Sequence, residues 1–313
     1  MLERPSINYP SQFALLLGLM GFFILLSAIL VPFLGSFLLH IPFLQVIRAM
    51  SRPENANISK LLNTIASLLA FLVPTLILAR VLSKKPFTQL GFNMKLSSKQ
   101  ILWVLVITLV SMVLSGALGE VNEKIPIPAK WFAKAKALED AYKTAMLSMA
   151  SMKSLSDYLL SIVVLAAAPA FFEEVMFRGG FQQIFIGWTK NNWIGIIITS
   201  ILFSAIHFSY FGFLPRLALG LVLGLIFLYS KNIWLSIALH FLNNALVVTQ
   251  LYMVSRQGKS IEKTLDESMP IWWGIIAIVF LLLFFKNFKK ESDLVLLTNE
   301  STRDLVTENI LTS

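Results

Sequence analysis

The sequence predicts an all-α fold: a polytopic membrane helix bundle of about eight transmembrane helices. Three observations carry this. The 313-residue chain is 57% hydrophobic, with a mean hydropathy of +0.75. Only 14% of its residues are charged, against about 25% in a soluble domain, which is too few to cover a soluble surface. The apolar residues also fall into runs of about the 20 residues that a helix needs to cross the hydrocarbon core. The same composition excludes a disordered chain.

The spans follow in order along the chain. The first runs from Phe13 to about Leu39, inside an uncharged stretch from Pro5 to Ile47. The second is Leu61 to Ala79 and the third Gln100 to Gly119. The fourth, Tyr158 to about Phe185, is interrupted by charges, and the fifth is Trp193 to about Phe208. The sixth, Leu217 to Ser230, is short unless Arg216 snorkels. Ile233 to Met253 and Ile271 to Phe285 complete the set. Together they form one transmembrane domain over residues 1–290, with a motif-bearing core at 158–250. The extramembrane loop at 120–157 is rich in both charge signs. Its middle, Trp131 to Ala150, suits an amphipathic helix on the membrane surface or a solvated loop helix. Residues 291–313 read as a polar, frayed tail. The N-terminus lacks the basic region and cleavage site of a signal peptide.

The net charge of +9 comes from Lys and Arg in short segments between spans, which is how a membrane protein is oriented. No basic stripe with interleaved aromatics appears, so nucleic acid is not an expected partner. The clusters at 80–99 and 286–290 flank span ends and favour both termini inside. The chain has no Cys, which excludes disulfides, thiolate metal sites and a Cys nucleophile.

Ionisable groups inside spans are costly, and each is a functional candidate. The fourth span carries Glu173, Glu174 and Arg178; the fifth carries Phe203 and His207; the seventh carries His240, Asn243 and Asn244. Glu174 and Arg178 are four apart and share a helix face in the favourable order for an ion pair. Glu173 lies about 100° round the helix and has no such local partner, so it is the carboxylate left for chemistry. His240 and Asn244 also share a face, with Asn243 a near neighbour. Glu173 and His207 are equally far from Lys190, at the turn between two antiparallel helices, which puts them at one depth. Interhelical glue is the plainer reading of such residues, at about 0.6–2 kcal/mol each. It is strained for two carboxylates, an arginine and two imidazoles together.

These segments resemble the CPBP intramembrane proteases, the group that includes type II CAAX prenyl endopeptidases and bacterial Abi proteins. The family pattern E-E-x-x-x-R, F-x-x-x-H, H-x-x-x-N is met by Glu173-Glu174-x-x-x-Arg178, Phe203-x-x-x-His207 and His240-x-x-x-Asn244, in that order. The resemblance implies hydrolysis of a peptide bond in a membrane-embedded or lipidated substrate at the bilayer. Glu173 suits a general base for water, with His207 holding the water or sharing its proton. His240 and Asn244 suit oxyanion stabilisation, with Asn243 as a substitute. Glu174, Arg178 and Phe203 support them. A Zn²⁺ ion held by Glu173, His207 and His240 is a second possibility, although the paired histidines of H-E-x-x-H are absent. Two other readings stay open: a non-enzymatic membrane scaffold or immunity protein, and a proton-coupled transporter. The transporter should show an inverted repeat, and none is visible. The short N-terminus and compact loops point to a bacterial inner membrane protein.

Overall fold

The structure is a computed structural model that describes residues 7–149, 152–257 and 269–311. Those residues form helices and no strand. Among the described residues seven helices are long and apolar enough to cross a membrane: α1 (Tyr9–Leu39), α2 (Pro53–Leu82), α3 (Ser98–Lys124), α5 (Leu155–Thr189), α7 (Phe213–Ser230), α8 (Ile233–Arg256) and α9 (Ile271–Leu311, with its apolar span inside Ile271–Thr298). Two further helices bear on the site, α4 (Ala129–Met149) and α6 (Asn192–Ala205), beside short turns of helix at Val46–Met50 and Pro86–Gln89. The chain is an integral membrane protein, and its fold is a polytopic α-helical bundle.

The helices begin where the sequence supplies caps. Asn8, Asn191 and Asn232 accept first-turn amides of α1, α6 and α8. Capping boxes built on Ser97–Gln100 and Ser154–Asp157 start α3 and α5. Large apolar side chains such as Phe22, Leu25, Ile29, Phe33 and Phe37 of α1 face outward. A soluble protein would aggregate through such a surface, whereas lipid accepts it.

The core runs through α5, which packs on α6, α7 and α8, while α3 packs on α7, α8 and α9. Phe177, Met176, Ile107, Leu223, Ile226 and Leu239 meet at its centre. Two glycines of α7, one turn apart, allow the closest approach. A Cβ on Gly220 would sit 3.0 Å from the Ser200 backbone, and one on Gly224 would sit 2.9 Å from Ile196. Without those side chains α7 lies against α6, as small residues allow in membranes.

Three expectations change. The expected fifth span, Trp193 to about Phe208, is a helix of 14 residues, about 21 Å long at the usual helical rise, and therefore short of a full bilayer core. It ends at Ala205, so His207 lies in the turn beyond it. The expected sixth span starts earlier, at Phe213, and takes in Arg216, whose guanidinium turns to the preceding loop and to Tyr142 instead of snorkelling. The segment taken as a polar tail continues α9 past Lys290. There Ser97 Oγ donates to Glu291 and Gln100 donates to Ser292, so the start of the tail is docked on α3. The amphipathic segment in the 120–157 loop does form a helix, α4, and it turns Glu139 inward; Ala150 lies outside the described residues.

Candidate active site

The motif helix α5 is continuous but not uniform. It is π-helical over Ile162–Ala167 and again over Val175–Gln182, the stretch that holds Arg178, Gly179 and Gly180. The two glycines widen the helix without breaking it. Such π segments recur at functional sites.

The ion pair expected from the four-residue spacing is present. Arg178 Nη1 donates to Glu174 Oε1 at 2.9 Å, and both side chains are fully buried. Arg178 Nη2 donates to the Gly220 carbonyl at 3.0 Å. One turn on, Gln182 repeats the contact with the Gly224 carbonyl, also at 3.0 Å. The glycines that admit α7 thus also supply the carbonyls that hold the polar face of α5. The Arg178 guanidinium lies 5.1 Å from the ring centre of Phe203 and 5.8 Å from that of Phe177, cation–π contacts worth about 2 kcal/mol when desolvated.

Glu174 has a second partner that its own helix could not reveal. His240 Nδ1, on α8, donates to Glu174 Oε1 at 2.9 Å. This contact orients the buried His240 ring and turns Nε2 toward Glu173 Oε2, 4.0 Å away. Glu173 Oε2 has no hydrogen-bond partner. The two adjacent carboxylates differ in what they touch: Glu174 accepts from Arg178 and His240 through Oε1, its Oε2 having no hydrogen-bond partner, and Glu173 turns its unpartnered Oε2 to the imidazole edge.

His207 is held from a different direction. Its Nδ1 donates to the Phe203 carbonyl at 2.8 Å, which leaves Nε2 as an acceptor. Phe203 stands between the two histidines, 5.4 Å from His207 and 5.7 Å from His240 between ring centres. The next residue, Phe208, has φ 51°, a left-handed conformation that is strained for an aromatic residue. The surrounding loop is over-determined, as a strained residue requires. Ser204 Oγ donates to the Phe213 carbonyl at 2.7 Å. Asn122 of α3 donates to the Tyr210 carbonyl at 2.9 Å and accepts from the Leu214 amide at 2.7 Å. The sequence reading missed Asn122, because nothing near it in the chain pairs with it.

Asn243 and Asn244 are partly buried one turn along α8 from His240, and Asn243 Nδ2 donates to Asn244 Oδ1 at 3.2 Å. The site thus joins Glu173, Glu174, Arg178 and His240 by direct contact. It brings His207 alongside through Phe203 and leaves the two asparagines at its edge. The Zn²⁺ alternative can be tested on donor spacing. Two imidazoles and a carboxylate suit Zn²⁺ chemically, but among the described residues no three His, Asp or Glu side chains are grouped closely enough to hold a metal.

Residues 155–246 match the family described as Rce1-like, type II CAAX prenyl endopeptidase. The match supports a CPBP/CAAX protease family assignment. It covers all three motif segments and less than half of the chain. Together with the membrane helices, it supports an intramembrane CAAX-type protease at the level of the family. No curated protein and no solved structure matches the chain.

Proposed function

We propose that the chain is an intramembrane endopeptidase that hydrolyses a peptide bond of a membrane-embedded or lipidated substrate without a metal ion. The observation that carries this reading is the division of labour between the paired glutamates. Glu174 Oε1 accepts from both Arg178 and His240, while Glu173 Oε2 has no hydrogen-bond partner and faces His240 Nε2 at 4.0 Å.

In this mechanism Glu173 takes a proton from water, and the water oxygen forms the new bond to the scissile carbonyl carbon. The acceptor Nε2 of His207 holds the same water. The carbonyl electron pair moves onto oxygen, where His240 and Asn244 stabilise it as hydrogen-bond donors, with Asn243 available beside Asn244. His240 can donate from Nε2 only when its ring carries both protons, because Nδ1–H is committed to Glu174. The proton then passes to the leaving nitrogen as the C–N bond breaks, giving an acid and an amine. Arg178, Glu174 and Phe203 fix the geometry.

The same reading places the protein in a bacterial inner membrane with both termini in the cytoplasm. The basic clusters at 80–99 and 286–290 support that side, and it requires α6 to serve as the eighth pass.

The decisive experiment is a map of cleavage products from membranes that contain the wild type or Glu173→Gln. Products that vanish in a variant of wild-type yield and folding support Glu173 as the base. Phenanthroline leaves wild-type cleavage intact if Glu173 acts unaided. Inactivation that added Zn²⁺ reverses points to the metal mechanism instead. A protein whose cellular effect survives Glu173→Gln is the scaffold.

A further inference from the structure

A cavity of about 700 Å³ lies apart from the Glu174–Arg178–His240 cluster, between α3, α4 and the segment that joins α6 to α7. Its walls carry Glu123 from α3, Glu139, Tyr142 and Lys143 from α4, and Ser209 and Arg216 from the loop and first turn of α7.

Arg216 links this cavity to the site. Its Nη2 donates to the Ser209 carbonyl at 3.1 Å, two residues beyond His207. Its charge also acts electrostatically on the His207 ring. Its other donors are poorly used. Nη1 reaches Tyr142 Oη only at 3.4 Å, the Tyr142 ring lies 5.2 Å from the guanidinium carbon, and the buried Nε has no partner. Glu139 acts on Arg216 electrostatically, but among the described residues no carboxylate forms an ion pair with it. Glu139 Oε2 is itself buried without a hydrogen-bond partner. An arginine keeps its charge at any working pH, and an unmatched one inside a membrane bundle is costly. Its planar fork of donors fits a carboxylate better than any other common group.

We propose that this cavity binds a carboxylate carried by the substrate polypeptide, with Arg216 as its anchor and as a specificity-determining residue for hydrolysis at Glu173. The inference rests on the peptidase reading. It goes beyond it by assigning the substrate a charged group, placed on the His207 side of the scissile bond. A chain terminus and an Asp or Glu side chain share the required chemistry.

The test is binding, measured by fluorescence anisotropy on the full-length Glu173→Gln protein in detergent so that nothing is cleaved. Three dansylated apolar tetrapeptides serve as probes: one with a free C-terminal carboxylate, one C-terminally amidated, and one amidated with an internal Glu. The free-terminus or the Glu peptide should bind about tenfold more tightly than the fully amidated one, as a charge-assisted pair gives, and which of the two does so identifies the source. Adding Arg216→Gln should remove that preference and leave the amidated peptide's affinity unchanged. Adding Glu139→Gln instead should raise the preference about threefold, by removing a competing negative charge. Equal binding of all three peptides overturns the proposal, as does a preference that survives Arg216→Gln. If Arg216→Gln does not fold, a preference unmoved by Glu139→Gln overturns it. Absence of wild-type cleavage with the preference intact overturns the peptidase reading and leaves the anchor standing.

Discussion

Arg178 and Arg216 are both held within the bundle, yet their surroundings differ. Arg178 sits in a dry cluster where Glu174 matches its charge at 2.9 Å and Gly220 accepts a second donor. Arg216 borders a cavity, donates to the Ser209 carbonyl at 3.1 Å and to Tyr142 Oη at 3.4 Å, and among the described residues forms no ion pair with a carboxylate. The first arrangement spends its charges on internal order, because removing either member strands the other in a low-dielectric interior. Each guanidinium leaves a buried Nε without a hydrogen-bond partner, and Arg216 does so on the wall of a cavity. The difference separates a residue that builds the site from one that faces what the site receives.

The comparison breaks most sharply at Glu174. Replacing it by Gln makes the Arg178 region resemble the Arg216 region, with a stranded cation, but without a cavity to hydrate it. Glu174→Gln should cost about 3–5 kcal/mol, read as a fall in midpoint temperature in detergent or as lost expression. Glu173→Gln should cost far less. If Glu173→Gln proves the less stable variant, the roles of the two carboxylates are exchanged.

Next come the donors at the reacting carbonyl. His240→Ala and Asn244→Ala should each lower turnover by about 10²–10³, as loss of one oxyanion donor does, with yield close to wild type for Asn244→Ala. A turnover unchanged in Asn244→Ala moves that role to Asn243.

Packing gives a smaller effect. Gly220→Ala places a methyl 3.0 Å from the Ser200 backbone and pushes α7 away from Arg178, for about 1–3 kcal/mol. Thermal unfolding measures this, and a neutral result means that α6 and α7 have slack. The smallest change concerns the His207 loop. Asn122→Ala takes the side-chain partner from the Leu214 amide and leaves the Tyr210 carbonyl with the Phe213 amide alone, for about 1–2 kcal/mol, and should sharpen the contrast by loosening the loop beside the cavity while sparing the Arg178 cluster. Hydrogen exchange at 206–214 should rise in that variant and stay unchanged along α5.

The sequence by itself determined what local periodicity and composition can carry. Apolar runs specify membrane helices because each span satisfies its own backbone, whatever its neighbours do. The four-residue spacing of Glu174 and Arg178 specifies their pair, because one helix face brings them together. It does not fix where a helix stops when no Gly or Pro marks the end. The continuous apolar pattern through Phe208 gives no sign that the helix ends at Ala205, with His207 in the turn beyond it. Only the tertiary structure decided that His240 clasps Glu174, that Asn122 and Arg216 hold the loop after His207, and that Gly220 and Gly224 lend their carbonyls to α5. Apart from the local Arg216–Ser209 bond, each of those contacts joins segments at least 42 residues apart in the chain, and their relative rotation and depth are set by how all the side chains pack at once, which no single segment encodes.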